Sequence, residues 1–181
     1  MGKIVIISGP SGSGKTTVCN LLGKNPQVKK SLSVTTRPPR HNEKDGESYI
    51  FVSTVEFENM IERGELAEYA KYCGSYYGTP FNSLKNALVE EILYLLEIEV
   101  QGALQIMEKF PESVSIFLLP PDKKTLTQRL IERKTDKDLD LALRLKIADK
   151  ELQYADRYMF RVVNDDLDET VNTIKKILKL A

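Results

Sequence analysis

The sequence predicts an α/β fold in which helices cover both faces of a parallel β-sheet. Three short β-branched or leucine-rich runs, at residues 3–7, 92–96 and 114–119, lack the polar alternation of a half-exposed strand. Such runs are typical of strands that are buried on both faces. Helical sequence follows each run, and alternating β and α segments indicate parallel strands joined by crossover helices. The 181 residues suffice for one domain with a sizeable core and are few for two.

The charge balance argues against a polyanionic partner. Twenty-six basic residues match twenty-six acidic ones, so no overall positive field exists to collect DNA, RNA or an anionic membrane surface. The first apolar run is too short for a signal peptide, and none approaches the roughly 18 residues of a membrane span. We therefore expect a cytoplasmic protein, and the sequence leaves open whether it is a monomer or a homodimer.

The cysteines predict no metal or disulfide chemistry. Cys19 and Cys73 form no CxxC pair, and the chain contains one histidine. This pattern favours neither a zinc site nor a disulfide framework. We predict that both cysteines are small buried hydrophobic residues.

A first insert, residues 33–84, follows the first core segment and is predicted to form a small, partly separate lobe. Ser53 and Glu56 fit a capping box that begins a helix, and Gly64 fits its end. The predicted strands are residues 49–52 and 66–72, and the predicted turn is residues 74–78.

A second insert, residues 126–158, is predicted to form a helical lid. Its charge-dense centre, residues 133–140, lies between two helical segments, 126–131 and 141–152. A last strand at residues 160–163 and a helix capped by Asp168 complete the chain. The predicted core then comprises residues 1–32, 85–125 and 159–181.

A glycine-rich motif lies between the first strand and the first helix. Residues 9–16, GPSGSGKT, match GxxxxGK[ST] at every fixed position and in the expected context. Small residues let the backbone N–H groups converge on phosphates, Lys15 reaches the β- and γ-phosphates, and Thr16 offers its hydroxyl to Mg²⁺. An ordinary strand-to-helix turn would explain the glycines but not the lysine and hydroxyl at these offsets. The predicted fold is therefore a P-loop NTPase three-layer α/β/α core, and its ATP-binding motif comprises Gly9, Pro10, Ser11, Gly12, Ser13, Gly14, Lys15 and Thr16.

A second phosphate-binding element is predicted at residues 33–40, SVTTRPPR. Arg37 and Arg40 lie three residues apart on a segment stiffened by two prolines, and planar guanidinium groups suit phosphate. A solvated basic loop is the ordinary alternative for this fragment. The P-loop alone leaves GTPases, motor ATPases and small-molecule kinases open, so the second substrate depends on this element.

The TTRxPR core of this segment resembles the acceptor loop of the guanylate kinase family. The resemblance continues through residues 45–51 (DGESYIF), 74–79 (GSYYGT), 100–103 (VQGA) and 163–166 (VNDD), and covers the chain from Ile4 to about Leu178. It implies a Mg²⁺-dependent transfer of the γ-phosphoryl group of ATP to GMP, and to dGMP, within purine nucleotide metabolism. The transfer would be direct and in line, without a phosphoenzyme.

The resemblance also implies roles for individual residues. The residues that would hold the GMP phosphate are Arg37, Arg40, Tyr49 and Tyr77. Those that would read the guanine are Ser33, Glu68 and Thr79, with help from Glu99. Further ATP-binding residues would be Thr17, Arg129 and Asn164. Those assigned to catalysis are Lys15, Arg37 and the lid arginines Arg133 and Arg144. Glu97 would contact Mg²⁺ through water; Glu97 and Glu99 stand where the family usually has aspartates, so each carboxylate extends one methylene further.

The chemistry of guanine makes this assignment reasonable on independent grounds. Guanine presents adjacent N1–H and N2–H₂ donors, and one carboxylate can accept from both. Adenine would leave a buried carboxylate unpaired, which is costly. Two alternatives stay open: a non-catalytic module of the same fold that binds protein partners, and a P-loop kinase for another monophosphate or a sugar phosphate.

Overall fold

A computed structural model describes residues 2–90, 92–132 and 141–180, with the side chains of residues 86–88 excluded. Within these ranges strands and helices follow one another in the α/β manner. In chain order the elements are β1 (Lys3–Ser8), α1 (Lys15–Leu22), β2 (Val28–Lys30), β3 (Val34–Thr35), β4 (Ile50–Phe51), α2 (Thr54–Glu62), β5 (Leu66–Tyr72), β6 (Ser75–Pro80), α3 (Phe81–Val89), β7 (Leu93–Glu97), α4 (Val100–Lys109), β8 (Val114–Leu119), α5 (Lys123–Glu132), α6 (Leu141–Leu152), a 3₁₀ turn (Ala155–Arg157), β9 (Phe160–Val163) and α7 (Leu167–Leu178).

The larger sheet has the strand order β2-β7-β1-β8-β9, and every neighbouring pair is parallel. Strand β1 is central, and its register with β7 runs from Lys3 opposite Leu93 to Ile7 opposite Glu97. Residues 4–7 are at most 2% exposed, as expected for a strand covered on both faces. The predicted α/β fold with a parallel sheet is confirmed.

Helices cover both faces of this sheet because successive β1 side chains point in opposite directions. Ile4 and Ile6 belong to one buried cluster, and Val5 and Ile7 belong to another. The helical residues that complete the first cluster include Leu84, Ala103 and Ile106. Those that complete the second include Val18, Leu22, Val171 and Ile174.

The first insert contains a second sheet, of order β4-β3-β6-β5, with β3 parallel to β4 and antiparallel to β6. Helix α2 packs Phe57, which is fully buried, against the ring of Tyr76 at a centroid distance of 5.1 Å. The Ser53 hydroxyl caps α2 by accepting from the Glu56 N–H at 3.1 Å. The capping prediction is thus correct at this end of the helix.

The predicted turn at residues 74–78 is wrong. The chain reverses at Cys73 and Gly74, which have φ of 49° and 84°, and Ser75 already begins β6. Gly78 lies inside β6 as a packing residue, because a Cβ there would lie 3.0 Å from the Glu68 carbonyl oxygen and 3.1 Å from Phe57 Cζ. A glycine that permits close packing was therefore interpreted as a turn glycine.

Two smaller predictions also fail. Cys19 is buried as expected, but Cys73 is exposed because it occupies the β5–β6 turn. Helix α7 is capped by Asp166 and not by Asp168: the Asp166 carboxylate accepts from the Glu169 N–H at 2.8 Å, and Asp168 lies in the first turn.

The second insert is described in part. Helices α5 and α6 pack together through Leu126, Leu130 and Ala148, each at most 1% exposed. Residues 133–140, and with them the predicted lid residue Arg133, lie outside the described residues. None of the helices within the described ranges is long and apolar enough to cross a membrane.

Candidate active site

The glycine-rich loop wraps around the Lys15 side chain. Gly14 has φ of 93°, and a Cβ there would lie 2.2 Å from Asn164 Nδ2, so only glycine fits without strain. Lys15 is 9% exposed, and its ammonium donates to the carbonyl oxygens of Gly9, at 2.6 Å, and Pro10, at 3.2 Å. The loop thus places a cation at the N-terminus of α1, where the helix dipole adds positive potential.

Asn164 connects the end of β9 to this loop. It is 5% exposed, and its amide donates to the Ser13 carbonyl oxygen at 2.8 Å. Arg129 of α5 donates to the Asn164 carbonyl oxygen at 3.1 Å. Beside this contact is a small pocket of about 270 Å³, lined by Gly14, Thr16, Thr17, Arg129 and Glu132. The residues predicted to extend the ATP site are therefore adjacent to it.

Two carboxylates at the end of β7 face the P-loop: Glu97 is its last residue, and Glu99 lies two residues further on. Glu97 accepts from the Thr16 hydroxyl at 2.5 Å, and its other oxygen lies 2.9 Å from the Lys30 ammonium. The Glu99 carboxylate lies 3.6 Å from Lys15 Nζ. Each glutamate thus reaches the P-loop with its longer side chain. Lys30 was not predicted, and a lone lysine at the end of a short strand gives no sequence signal.

The side chains predicted to hold the GMP phosphate lie in the first insert, where Arg37 contacts Tyr49, Tyr77 and Glu43. Both oxygens of Glu43 accept from Arg37 Nη2 at 2.9 Å, and the Arg37 Nε donates to the Tyr77 hydroxyl at 3.2 Å. The Arg37 guanidinium also lies over the Tyr49 ring, 5.6 Å from its centroid. The Arg40 N–H donates to Glu43 at 2.8 Å. Sequence reasoning missed Glu43, although an acidic residue three positions after Arg40 was a usable signal.

The predicted guanine-reading residues lie on adjacent strands of the smaller sheet. Glu68 of β5 is 3% exposed, and it accepts from the Thr79 hydroxyl of β6 at 2.6 Å. Burial raises the pKa of Glu68 to about 7, because the Thr79 hydrogen bond and Lys109 offset only part of the desolvation penalty. Thr79 is fully buried and contacts the carboxylate directly. Ser33 precedes β3 and lies at the surface of the adjoining cleft.

One cleft of about 1220 Å³ joins the P-loop to the insert. The P-loop wall contributes Lys15, Thr16, Glu97 and Glu99. The insert wall contributes Ser33, Arg37, Arg40, Tyr49, Glu68 and Tyr77. Acidic and basic groups from two sheets therefore face the same space.

Arg144 does not reach this cleft. It is 7% exposed, and its guanidinium donates to the Leu130 carbonyl oxygen at 3.1 Å, between α5 and α6. Helix α6 instead buries Glu151 near the P-loop, where desolvation and then the neighbouring Glu99 carboxylate raise the pKa of Glu151. Sequence reasoning missed Glu151, since one glutamate on a charged amphipathic helix is indistinguishable from a solvent-facing one.

A P-loop that faces arginine and tyrosine side chains across one cleft is typical of P-loop kinases that act on small phosphorylated substrates. The guanylate kinase family model matches residues 1–181. A guanylate kinase of Desulfitobacterium hafniense (strain Y51) is 46% identical over 178 residues, 98% of this chain and 89% of that protein. One from Prochlorococcus marinus (strain MIT 9312) is 44% identical over 98% of this chain and 97% of its own.

Solved structures agree with the sequence comparisons. The crystal structure of guanylate kinase from Anaplasma phagocytophilum superposes with a TM-score of 0.83 and 36% identity, covering 98% of this chain and 85% of the other. A shikimate kinase from Bacteroides thetaiotaomicron shares the fold, with a TM-score of 0.51 and 20% identity. The chain belongs to the guanylate kinase family, and its activity is the ATP-dependent phosphorylation of GMP.

Proposed function

We propose that the chain binds ATP at the P-loop and GMP, or dGMP, at the insert, on opposite walls of the one cleft. The observation that carries this proposal is the shared space of about 1220 Å³, which Lys15 borders on one side and Glu68 on the other. Two nucleotides held face to face need no protein nucleophile, since alignment and charge neutralisation supply most of the catalysis of phosphoryl transfer. Direct in-line transfer, giving ADP and GDP, follows from this arrangement.

The donor side depends on Lys15, Thr16 and Glu97. The Lys15 ammonium, which donates to two loop carbonyl oxygens, is positioned to move to the β- and γ-phosphates when ATP is present. The Thr16 hydroxyl and the Glu97 carboxylate are in contact, and hard oxygen donors of this kind suit Mg²⁺. When bound there, Mg²⁺ would neutralise phosphate charge, with Thr16 as a direct ligand and Glu97 acting through water.

On the acceptor side, Arg37, Arg40, Tyr49 and Tyr77 would hold the GMP phosphate. The Arg37–Glu43 pair supports this role, because a guanidinium nitrogen that donates to both oxygens of a carboxylate can donate to the oxygens of a phosphate. Glu68 would accept from guanine N1–H and N2–H₂. Thr79 would orient Glu68 through the hydrogen bond it already makes, with Ser33 and Glu99 beside the base.

The lid would complete the site on closure. Arg129 contacts Asn164 and borders the P-loop pocket, which supports a role near the ATP phosphates. Arg133 and Arg144 stay proposed catalytic residues from the family resemblance; Arg144 would have to leave the Leu130 carbonyl oxygen to reach a phosphate. Closure would also exclude water that competes for the phosphoryl group.

The experiment that tests this function is a coupled assay of ADP production with GMP, dGMP, AMP, CMP and UMP as acceptors. We expect activity with GMP and dGMP and, with AMP, a kcat/KM lower by about 10³ or more, because adenine leaves Glu68 unpaired. Equal activity with AMP would contradict the guanine-reading role of Glu68. If none of these acceptors raised ADP production, a non-catalytic binding module would be favoured. A cytoplasmic location and a monomeric or homodimeric state remain predictions.

A further inference from the structure

Gly102 of α4 lies directly behind the Glu68 carboxylate. A Cβ at this position would lie 2.1 Å from Glu68 Oε2 and 2.8 Å from Glu68 Cδ. Ordinary van der Waals contacts of a Cβ begin at about 3.4 Å. The missing side chain therefore creates the space that this buried carboxylate occupies. Gly102 is itself buried and in a regular helix, where glycine is otherwise less favourable than alanine.

The same helix also holds the main chain of β5 on both sides of Glu68. The Gln105 side chain accepts from the Tyr69 N–H at 3.2 Å and donates to the Tyr69 carbonyl oxygen at 2.7 Å. Lys109 donates to the Ala67 carbonyl oxygen at 2.5 Å. The strand thus cannot move away from α4 without losing these hydrogen bonds. The position of the Glu68 carboxylate is set by the helix surface behind it.

Helix α4 also begins beside the donor site. Glu99, whose carboxylate lies 3.6 Å from Lys15 Nζ, is the residue immediately before the first helical residue, Val100. Gly102 follows three residues later, so less than one helical turn separates the P-loop wall from the support of Glu68. One rigid segment connects the two nucleotide sites.

We propose that Gly102 is a positioning residue for guanine specificity, and that it acts by setting the depth of the Glu68 carboxylate in the acceptor site. This inference rests on the proposed role of Glu68 as the guanine reader. Two hydrogen bonds to adjacent guanine donors need both carboxylate oxygens in place, and a displacement of about 1 Å takes at least one of them out of hydrogen-bond geometry. Gly102→Ala forces such a displacement.

The test compares GMP with IMP, which lacks the 2-amino group and so makes one hydrogen bond fewer to Glu68. For Gly102→Ala we expect kcat/KM for GMP to fall about tenfold or more and that for IMP to fall less, while KM for ATP stays unchanged. Gln101→Ala is the matched control, since it alters an exposed side chain of the same helix. An equal fall for GMP and IMP, or no fall, would overturn the proposal.

A second variant, Glu68→Gln, separates this inference from the function beneath it. If Glu68→Gln leaves the ratio of kcat/KM for GMP over IMP unchanged, Glu68 does not read guanine and the proposed role fails with the inference. If Glu68→Gln lowers that ratio and Gly102→Ala does not, the inference alone fails.

The double variant Gly102→Ala with Glu68→Asp tests the contact itself. The shorter carboxylate withdraws from the added methyl group, so we expect Gly102→Ala to cause little further change in stability or in the GMP-to-IMP ratio in this background. If Gly102→Ala alone fails to fold, recovery of folding in the double variant supports the proposal. Failure of both to fold overturns it, because the added methyl group would then conflict with something other than Glu68.

Discussion

Glu68 shows the conflict between burial and charge at the scale of one residue. Desolvation raises the pKa of its carboxyl group to about 7, and one hydroxyl and a lysine offset only part of that cost. A substantial fraction of this group is therefore protonated at neutral pH in the free protein. Guanine supplies two donors to the ionised form, so binding should pull the pKa of Glu68 down and release a proton.

GMP affinity should consequently depend on pH. Because binding selects the carboxylate, we expect the Kd for GMP to fall as pH rises from 5.5 to 8, by up to about tenfold per unit below the pKa of Glu68. Calorimetry in buffers of different ionisation enthalpy measures both the affinity and the released proton. The phosphate of GMP titrates near pH 6 as well, so Glu68→Gln is the control that retains only that titration. The same slope in both proteins would contradict this account.

Lys15 should be needed for turnover and not for folding. Lys15→Met keeps the aliphatic stem and removes the cation, so we expect kcat to fall by at least about a hundredfold, since the charge of the moving phosphoryl group loses a donor. Urea unfolding should change little, because the fold loses two hydrogen bonds to loop carbonyl oxygens and one ion pair with Glu99 at 3.6 Å, while the aliphatic stem still packs. A kcat within tenfold of the parent would remove Lys15 from the mechanism.

Sequence alone predicts the residues whose chemistry is local. The fixed spacing of the P-loop motif predicts the roles of Lys15 and Thr16. The proline-stiffened segment around Arg37 and Arg40 predicts a phosphate-binding element. Lys30 and Glu151 are not predictable in the same way, because the partner of each, Glu97 and Glu99 respectively, is distant in sequence. The Glu97–Lys30 ion pair, for example, joins residues 67 positions apart, at 2.9 Å.

At the scale of elements, helix α7 tests how well capping is understood. Asp166→Ala removes a carboxylate that accepts from the Glu169 N–H at 2.8 Å, so we expect the free energy of unfolding to fall by about 1 kcal/mol. Asp168 lies in the first turn of α7, where its charge interacts with the helix dipole. We expect Asp168→Ala to lower the free energy of unfolding by only about 0.3 kcal/mol. Urea denaturation of both variants distinguishes them. Equal losses would mean that the Asp166 hydrogen bond adds nothing.

Helices and strands with a strong apolar period were predictable from the sequence, but the packing contacts between them were not. The buried strands of the parallel sheet and the helices α2, α5 and α6 follow from apolar pattern and capping residues. The turn between β5 and β6 was predicted at the wrong residues, because Gly74 and Gly78 were both interpreted as turn glycines. Gly74 needs a φ of 84°, whereas Gly78 makes room for Phe57 and the neighbouring strand. Only the packed structure distinguishes these two reasons.

At the scale of the whole molecule, the cleft depends on how two sheets meet. Strand β3 pairs with β4 in parallel and with β6 in antiparallel orientation, and no local pattern encodes that arrangement. The pairing brings Arg37 and Glu68 to the wall that faces Lys15. Helix α4 contacts both walls of the cleft, since it begins directly after Glu99 and packs Gly102 against the Glu68 carboxylate. Both nucleotides should therefore occupy one complex together.

A rapid-quench experiment with γ-labelled ATP tests whether the two nucleotides react within one complex. Protein mixed with labelled ATP alone should carry no label, and label should appear in GDP within one turnover after GMP is added. We expect GMP to receive the phosphoryl group directly from ATP. A labelled protein that passes its phosphoryl group to GMP would contradict direct transfer, and the absence of labelled GDP would contradict the activity itself.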